Sequence, residues 1–348
     1  MNLAQPLLRP VAMRRRSSVV ILASLLALAA CTEEATVDIT GAPSTDGKTD
    51  AFSRCTGRAF TAPARTGFSR TSSRVIALTG ARHRAQDVIV PPHTVTSFAA
   101  KVAYGPTWKD LEGERVKVYI DNCGGWVDLG TVTTDGDGYA TLPVNVLLGA
   151  GQYELRFVAR GDASQTRSTL WVLPAGTHVT VTDIDGTLTT SDTELWKQLF
   201  DGSYVPVAQG SAQALTRAHA NRGDVVIYLT GRPSWLIDQT RSWLVDRGFA
   251  RGPVHLADSN AEVLPIDASV GAYKKAWLEE LEAYGYRIDL AYGNATTDIH
   301  AYTGAGIAPS RQWIIGTNAG AEGTHAVGAS WAARTAEVQA LPPVVQPF

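Results

Sequence analysis

This chain has no excess of basic residues. Its 31 Lys and Arg face 33 Asp and Glu, for a formal net charge of −2. A whole-molecule electrostatic grip on nucleic acid is therefore excluded. Cysteine is scarce: the three are Cys31, Cys55 and Cys123, and no two have the spacing of a zinc module. Long apolar runs are missing too. The stretch Val19 to Ala30 is too short to span a bilayer comfortably. No Cys–Trp–Cys framework is present, so an antibody-type domain is excluded.

The amino terminus reads as a targeting segment. Arg14-Arg15-Arg16 precede the short apolar run, the pattern of a secretory signal. The run ends Leu28-Ala29-Ala30-Cys31, which resembles a bacterial lipobox. Residues 1–31 are therefore expected to be a lipoprotein signal peptide with lipidation at Cys31. The expected location is that of an exported bacterial lipoprotein, anchored through Cys31 on the periplasmic side of the outer membrane. Residues 32–85 are rich in Thr, Ser, Gly, Ala and Arg without clear periodicity, and are expected to form a flexible tether. An exported compartment permits a Cys55–Cys123 disulfide; two free thiols are the alternative.

Residues 86–175 alternate short β-branched or aromatic runs with Gly- and Asp-rich turns. Val116, Val118 and Ile120 interleave with Lys117 and Tyr119, and Asp135-Gly136-Asp137-Gly138 marks a hairpin. That spacing predicts an all-β sandwich of immunoglobulin type. From 176 to 348 strand and helix patterns alternate, the signature of an α/β doubly wound parallel sheet. The predicted strands here begin near Val179, Val225, Val254, Ile288 and Gln312. The predicted helices run 211–221, 235–247, 272–284 and 329–340.

The chemistry collects at the carboxyl ends of these strands, where open α/β sheets bind ligands. Val179-Thr180-Val181-Thr182 runs into Asp183-Ile184-Asp185-Gly186-Thr187. Alternation puts Asp183 and Asp185 on one side of the extended chain. Two acids this close repel unless a proton or cation lies between them. A turn with both acids solvated is the plain alternative. Phosphoryl transfer needs a nucleophile, a cation, donors for the phosphate oxygens and an acid for the leaving group. Asp183 fits the nucleophile and Asp185 the general acid and base. Thr230 and Gly231, with Arg232 following, fit phosphate binding, although Thr230 also fits a helix N-cap. Lys274 fits charge neutralisation, with its neighbour Lys275 an open alternative. Asn294 and Asp298, beside Asp183 and the Asp185 main-chain carbonyl, offer the hard oxygen ligands that Mg²⁺ prefers. Little chain separates Asp185 from Thr230, which leaves little room for a separate cap domain. The stretch from Trp196 to Val207 reads as core packing or as an apolar rim touching lipid.

These motifs, Asp183-Ile184-Asp185-Gly186-Thr187, Thr230, Lys274 and Gly293-Asn294…Asp298, resemble the four motifs of the haloacid dehalogenase superfamily. The finer resemblance is to the lipin-type phosphatidate phosphatase domain, through Tyr273-Lys274, Gly293-Asn294 and Asp298…Ala301-Tyr302. Tyr228-Leu229-Thr230-Gly231-Arg232-Pro233 is more similar still to the carboxyl-terminal region of membrane-associated, retinal degeneration B type phosphatidylinositol transfer proteins. Weaker likeness upstream, in Ala103-Tyr104-Gly105-Pro106 and 114–120, extends it over roughly residues 86–340. The resemblance implies Mg²⁺-dependent phosphomonoester hydrolysis on phosphatidic acid or a related lipid. In the transfer proteins it implies a degenerate first motif and lipid binding without cleavage; here both acids stand. Two alternatives stay open: a non-catalytic phosphatidic-acid-binding module, and a periplasmic phosphatase for small soluble phosphates.

Overall fold

Valine, isoleucine and threonine dominate the strand segments, and their stiff, branched side chains favour a pleated backbone. In the computed structural model, residues 36–41, 52–201, 203–257 and 267–348 are described. The expected signal peptide and Cys31 lie outside these residues. Among the described residues, eleven strands precede the α/β body: β1 (Val37–Thr40), β2 (Ser53–Cys55), β3 (Val88–Val90), β4 (Thr94–Lys101), β5 (Ala103–Tyr104), β6 (Lys109–Asp110), β7 (Arg115–Asp121), β8 (Trp126–Thr133), β9 (Tyr139–Leu147), β10 (Gly151–Ala159) and β11 (Gln165–Val172). A short helix, α1 (Thr71–Ala77), lies among them. One sheet runs β1-β9-β4 and the other β3-β11-β10-β7-β8, with β2 also on β10. Their inner faces, including Phe98, Val116, Val118, Val144 and Leu155, form one apolar core. This is a β-sandwich.

For the described part of the expected 32–85 tether, residues 36–41 and 52–85, the expectation is corrected here. β1 pairs in parallel with β9, and β2 with β10. Phe68 is buried against Tyr104. Glu114, itself buried, accepts the Ser69 and Arg70 backbone N–H groups. The polar composition hid this because these segments add to sheets already built and carry few apolar residues of their own. Cys55 is bonded to Cys123, joining β2 to the turn between β7 and β8 across 68 residues.

The α/β body contains α2 (Thr193–Phe200), α3 (Ala212–Arg222), α4 (Ile237–Asp246), α5 (Asp267–Ala283), α6 (Thr296–Gly304) and α7 (Ala332–Ala340) around β12 (His178–Thr182), β13 (Val225–Pro233), β14 (Val254–Ala257), β15 (Arg287–Gly293), β16 (Gln312–Ile314) and β17 (His325–Ala326). All of these strands pair in parallel, in the order β14-β13-β12-β15-β16-β17. Apolar clusters cover both faces, as a parallel sheet requires. The first strand, β12, sits at the centre. The chain builds outward on one side through β13 and β14, then returns to start the other side with β15. The ends of β12 and β15 therefore flank the topological switch point.

Residues 35–348 pack as one unit. Its two halves are joined through Asp87, whose carboxylate accepts the N–H groups of Thr169 and Val254 and the Arg241 guanidinium at 2.9, 2.9 and 2.6 Å. The Gln86 side-chain amide bonds both N–H and C=O of Leu256, covering the open edge of β14.

Candidate phosphate site at the switch point

β12 ends at Thr182, and Asp183 follows it directly into the crevice, its N–H bonded to the Tyr292 carbonyl. Gly186 then turns the chain at a φ of +71°, where a Cβ would lie 2.1 Å from Asn294 Nδ2. Glycine is required there for both reasons. The turn carries Thr187 back so that its hydroxyl lies 3.0 Å from Asp183 Oδ2 and 3.1 Å from Asn294 Oδ1. Two oxygens from opposite sides of the switch point thus converge on one hydroxyl.

Lys274 projects from α5 into the same place. Its Nζ donates to Asp183 Oδ1 at 2.6 Å and to Asp298 Oδ1 at 2.7 Å, and all three side chains are buried. Lys275 faces outward and pairs with Glu279. Burial works to lower the Lys274 pKa, but the charges of Asp183 and Asp298 override it and raise it. Two carboxylates share this single ammonium, so one negative charge is uncompensated. Burial, reinforced by the charges of Asp298 and Asp185 and opposed by Lys274, pushes Asp183 up to about 7.

Asp298, expected to ligate Mg²⁺, lines the same cavity as Asp183, and each of its oxygens is hydrogen-bonded within the protein. Oδ1 accepts from Lys274, and Oδ2 accepts the Asn294 and Ala295 N–H groups at 3.1 Å each. It positions the lysine and the loop after β15. Arg232 was expected to bind substrate, but it is fully buried. Its guanidinium forms a bidentate pair with Asp185, both contacts at 2.8 Å, and also meets Gln198 and Thr240. The expected general acid is therefore held by an arginine two residues beyond Thr230.

Thr230 is buried; its hydroxyl accepts the Arg232 N–H and lies 3.5 Å from Asp185 Oδ2. It caps no helix, because β13 continues to Pro233. Thr230, Gly231, Asp183, Asp185, Lys274 and Asn294 all line one open cavity of about 250 Å³. Asp192, not singled out from the sequence, also lines it. Its Oδ1 accepts from Asn294 Nδ2 at 3.0 Å, and burial raises its pKa. No pattern around Ser191-Asp192-Thr193 marks it; only the approach of α2 to β15 brings it in.

Among the described residues no three His, Cys, Asp or Glu side chains form a metal cage. The carboxylate and amide side chains that line the cavity, Asp183, Asp185, Asp192, Asn294 and Asp298, offer oxygen donors, and Asp183 and Asp192 both hold protons more readily than usual. That combination fits a hard cation with few protein ligands and several waters, as Mg²⁺ prefers.

A second polar constellation, in the sandwich, has the residue types of a hydrolase but not the geometry. His83 Nε2 lies 2.7 Å from Ser164 Oγ, which contacts Asp162. His83 Nδ1 accepts the Ala103 N–H, so the neutral ring carries its proton on Nε2 and donates to the serine. Burial lowers the His83 pKa to about 4, and this imidazole is no base toward Ser164.

The fold is an α/β doubly wound parallel sheet with a buried Asp–Lys–Asp cluster at the switch point, the edge where such sheets hold their sites. Comparison with known proteins is more specific. Residues 180–316 match the LNS2 domain of the PITM 1-3 group, and residues 81–172 match its β-sandwich domain. Protein retinal degeneration B of Drosophila melanogaster is 32% identical over 243 residues, which is 68% of this chain and 18% of that protein. Human membrane-associated phosphatidylinositol transfer protein 1 is 30% identical over 240 residues, 67% of this chain and 18% of that protein. Human membrane-associated phosphatidylinositol transfer protein 3 is 31% identical over 243 residues, covering 68% and 24%. The chain thus spans under a quarter of the length of these relatives. Among solved structures, the sensor domain of anti-sigma factor RsgI4 from Pseudobacteroides cellulosolvens aligns over 27% of this chain at 10% identity with a TM-score of 0.22, too low to bear on the fold.

These matches correct the expected localisation. The relatives are the fly protein retinal degeneration B and mammalian membrane-associated phosphatidylinositol transfer proteins, not exported bacterial lipoproteins, and they give no support to a lipid on Cys31. No helix among the described residues is long and apolar enough to cross a membrane.

Proposed function

We propose that the α/β domain is a haloacid-dehalogenase-like, Mg²⁺-dependent phosphomonoester hydrolase acting on phosphatidic acid or a related phosphorylated lipid. The observation that carries this reading is the uncompensated Asp183–Lys274–Asp298 cluster facing an open cavity at the switch point. Asp183 attacks phosphorus and the bond to the ester oxygen breaks. The departing oxygen takes a proton from Asp185, and an aspartyl-phosphate remains. Water then attacks that phosphorus, giving its proton to Asp185, and the phosphate–Asp183 bond breaks. Each carboxylate oxygen of Asp185 has a second lone pair beyond its Arg232 bond, so it accepts a proton without leaving the arginine. Thr230 and Gly231 orient the non-bridging oxygens. Lys274 keeps Asp183 aimed and offsets charge. Asp183, Asn294 and the Asp185 carbonyl would hold the cation, which when bound offsets negative charge on carboxylate and phosphate.

The lipid class draws support from the names of the mammalian relatives, which describe membrane-associated phosphatidylinositol transfer proteins. A second reading, a phospholipid-binding module without turnover, is favoured by one observation: both oxygens of Asp185 are already engaged by Arg232. Phosphate release separates the two. The hydrolase reading expects Mg²⁺-dependent release from phosphatidic acid vesicles, lost in Asp183→Asn while the fold remains. Vesicle binding with no release from any phosphate ester, with or without Mg²⁺, establishes the binding module instead.

A further inference from the structure

The helix that closes one side of the phosphate cavity is amphipathic in an unusual sense: its outward edge is apolar. On α2, Phe200 is 87% exposed and Trp196 36% exposed. They lie one turn apart on the same face, ring centroids 6.5 Å from each other. The chain returning from α2 adds Val205 and Val207, 55% and 49% exposed. Among the described residues, no other short segment leaves four large apolar side chains in water.

This surface is built rather than frayed. Glu194, buried at the start of α2, accepts the Lys197 ammonium, the Tyr204 hydroxyl and the Val207 N–H at 2.7, 2.6 and 2.8 Å. On the other side, Trp243 Nε1 donates to the Pro206 carbonyl. The helix and residues 203–207 after it are thus pinned together from within, with Trp196, Phe200, Val205 and Val207 outward. The same helix reaches the site: Leu195 and Trp196 line the cavity that holds Asp183 and Lys274, and Gln198 contacts Arg232. Trp196 therefore belongs both to the cavity wall and to the apolar edge.

We propose that the apolar edge of α2 and residues 205–207 docks the domain on a lipid surface, a bilayer or micelle whose phosphorylated headgroups enter the cavity beside Trp196. The occupant follows from chemistry and position. The edge has no basic excess: Lys197 is neutralised by Glu194, and Asp201 follows. Attraction to nucleic acid or to an acidic protein is therefore unfavoured, whereas aromatic and valine side chains at an interface partition into lipid. Continuity with a phosphate cavity selects a surface that presents phosphate and hydrocarbon together. The use of the docked site for catalysis rests on the hydrolase reading; the docking itself does not.

The test is co-sedimentation of the full chain with phosphatidylcholine vesicles, with and without phosphatidic acid, at low and high salt. Wild type is expected to bind, nearly indifferent to salt, because contacts are apolar. Phe200→Ser with Val205→Ser is expected to lower binding at least ~10-fold, since two apolar side chains lose their burial. Both side chains are exposed, so the fold is retained. Turnover of para-nitrophenyl phosphate is expected to be unchanged in this variant while release from vesicle-borne phosphatidic acid falls with binding. Wild-type sedimentation by the double variant, abolition of binding by salt, or capture of a protein partner with no vesicle binding overturns the docking. Absence of turnover on either ester sinks the hydrolase reading alone, and sedimentation still decides the docking.

Discussion

Replacing Lys274 with methionine keeps the length of the side chain and removes the ammonium between Asp183 and Asp298. The lysine is buried and donates to both carboxylates at 2.6 and 2.7 Å. Breaking a buried pair by removing one partner costs about 3–5 kcal/mol, because the remaining charge is left uncompensated. Here two carboxylates are left. The cost must therefore depend on pH in a defined direction. Asp183 already titrates near 7, above its unfolded value, and loses the one charge that lowers it. A carboxylate whose folded pKa is raised is stabilising to the fold when protonated; that stability is fully present below the unfolded pKa of about 4 and is lost as pH rises through the folded pKa. Wild type already loses part of this between pH about 4 and 7. The variant loses more, and over a window extending above 7. Each unit of further rise corresponds to about 1.4 kcal/mol. Urea unfolding of Lys274→Met and wild type at pH 5.5 and 8 is expected to show a gap of about 3–5 kcal/mol at the higher pH that shrinks by 1 kcal/mol or more at the lower. A gap under 1 kcal/mol, or one identical at both pH values, refutes the view that Lys274 compensates a crowded buried acid cluster.

Mg²⁺ titration should be steeper than usual in pH. Binding must displace the proton that Asp183 holds below about 7, so apparent affinity falls up to ~10-fold per pH unit below that point and levels off above it; calorimetry showing a flat profile from pH 5.5 to 8 excludes Asp183 as a ligand. Gly186→Ala forces a Cβ to 2.1 Å from Asn294 Nδ2 and 2.4 Å from Asp192 Oδ1 at a backbone angle of +71°. It is expected to cost about 1–3 kcal/mol in thermal or urea unfolding and to weaken Mg²⁺ binding, and wild-type values for both would falsify the proposed turn geometry. Asp87→Ala strands the N–H groups of Thr169 and Val254 and the Arg241 guanidinium between the two halves. About 3–5 kcal/mol of stability should be lost, with hydrogen exchange rising at Val254 and Thr169 before it rises in the core of either half; uniform protection in the variant argues against this anchor.

The order of residues was enough for the layout of the α/β body. Val179 to Thr182 could only be a buried strand, and the acids after it had to meet the other strand ends, because a parallel sheet puts all its carboxyl ends on one edge. Helices and strands near Ala212, Val225, Ile237, Val254, Arg287 and Gln312 stand close to where periodicity puts them. Three things were not legible. Sequence composition cannot tell a polar strand completed by a neighbouring sheet from a tether, so β1, β2 and the segment around Phe68 were missed. Motif spacing brings Arg232 near the site but does not say which way it turns. Burial beside Trp243 and Thr240 turns it onto Asp185. Asp192 enters only because α2 crosses toward β15, a contact between residues about a hundred positions apart in the chain. The types of group available to the site are a local property, written in short motifs. Which oxygen each group meets, and whether it faces cavity, lysine or arginine, depends on desolvation and packing between distant elements. Only the tertiary structure decides that.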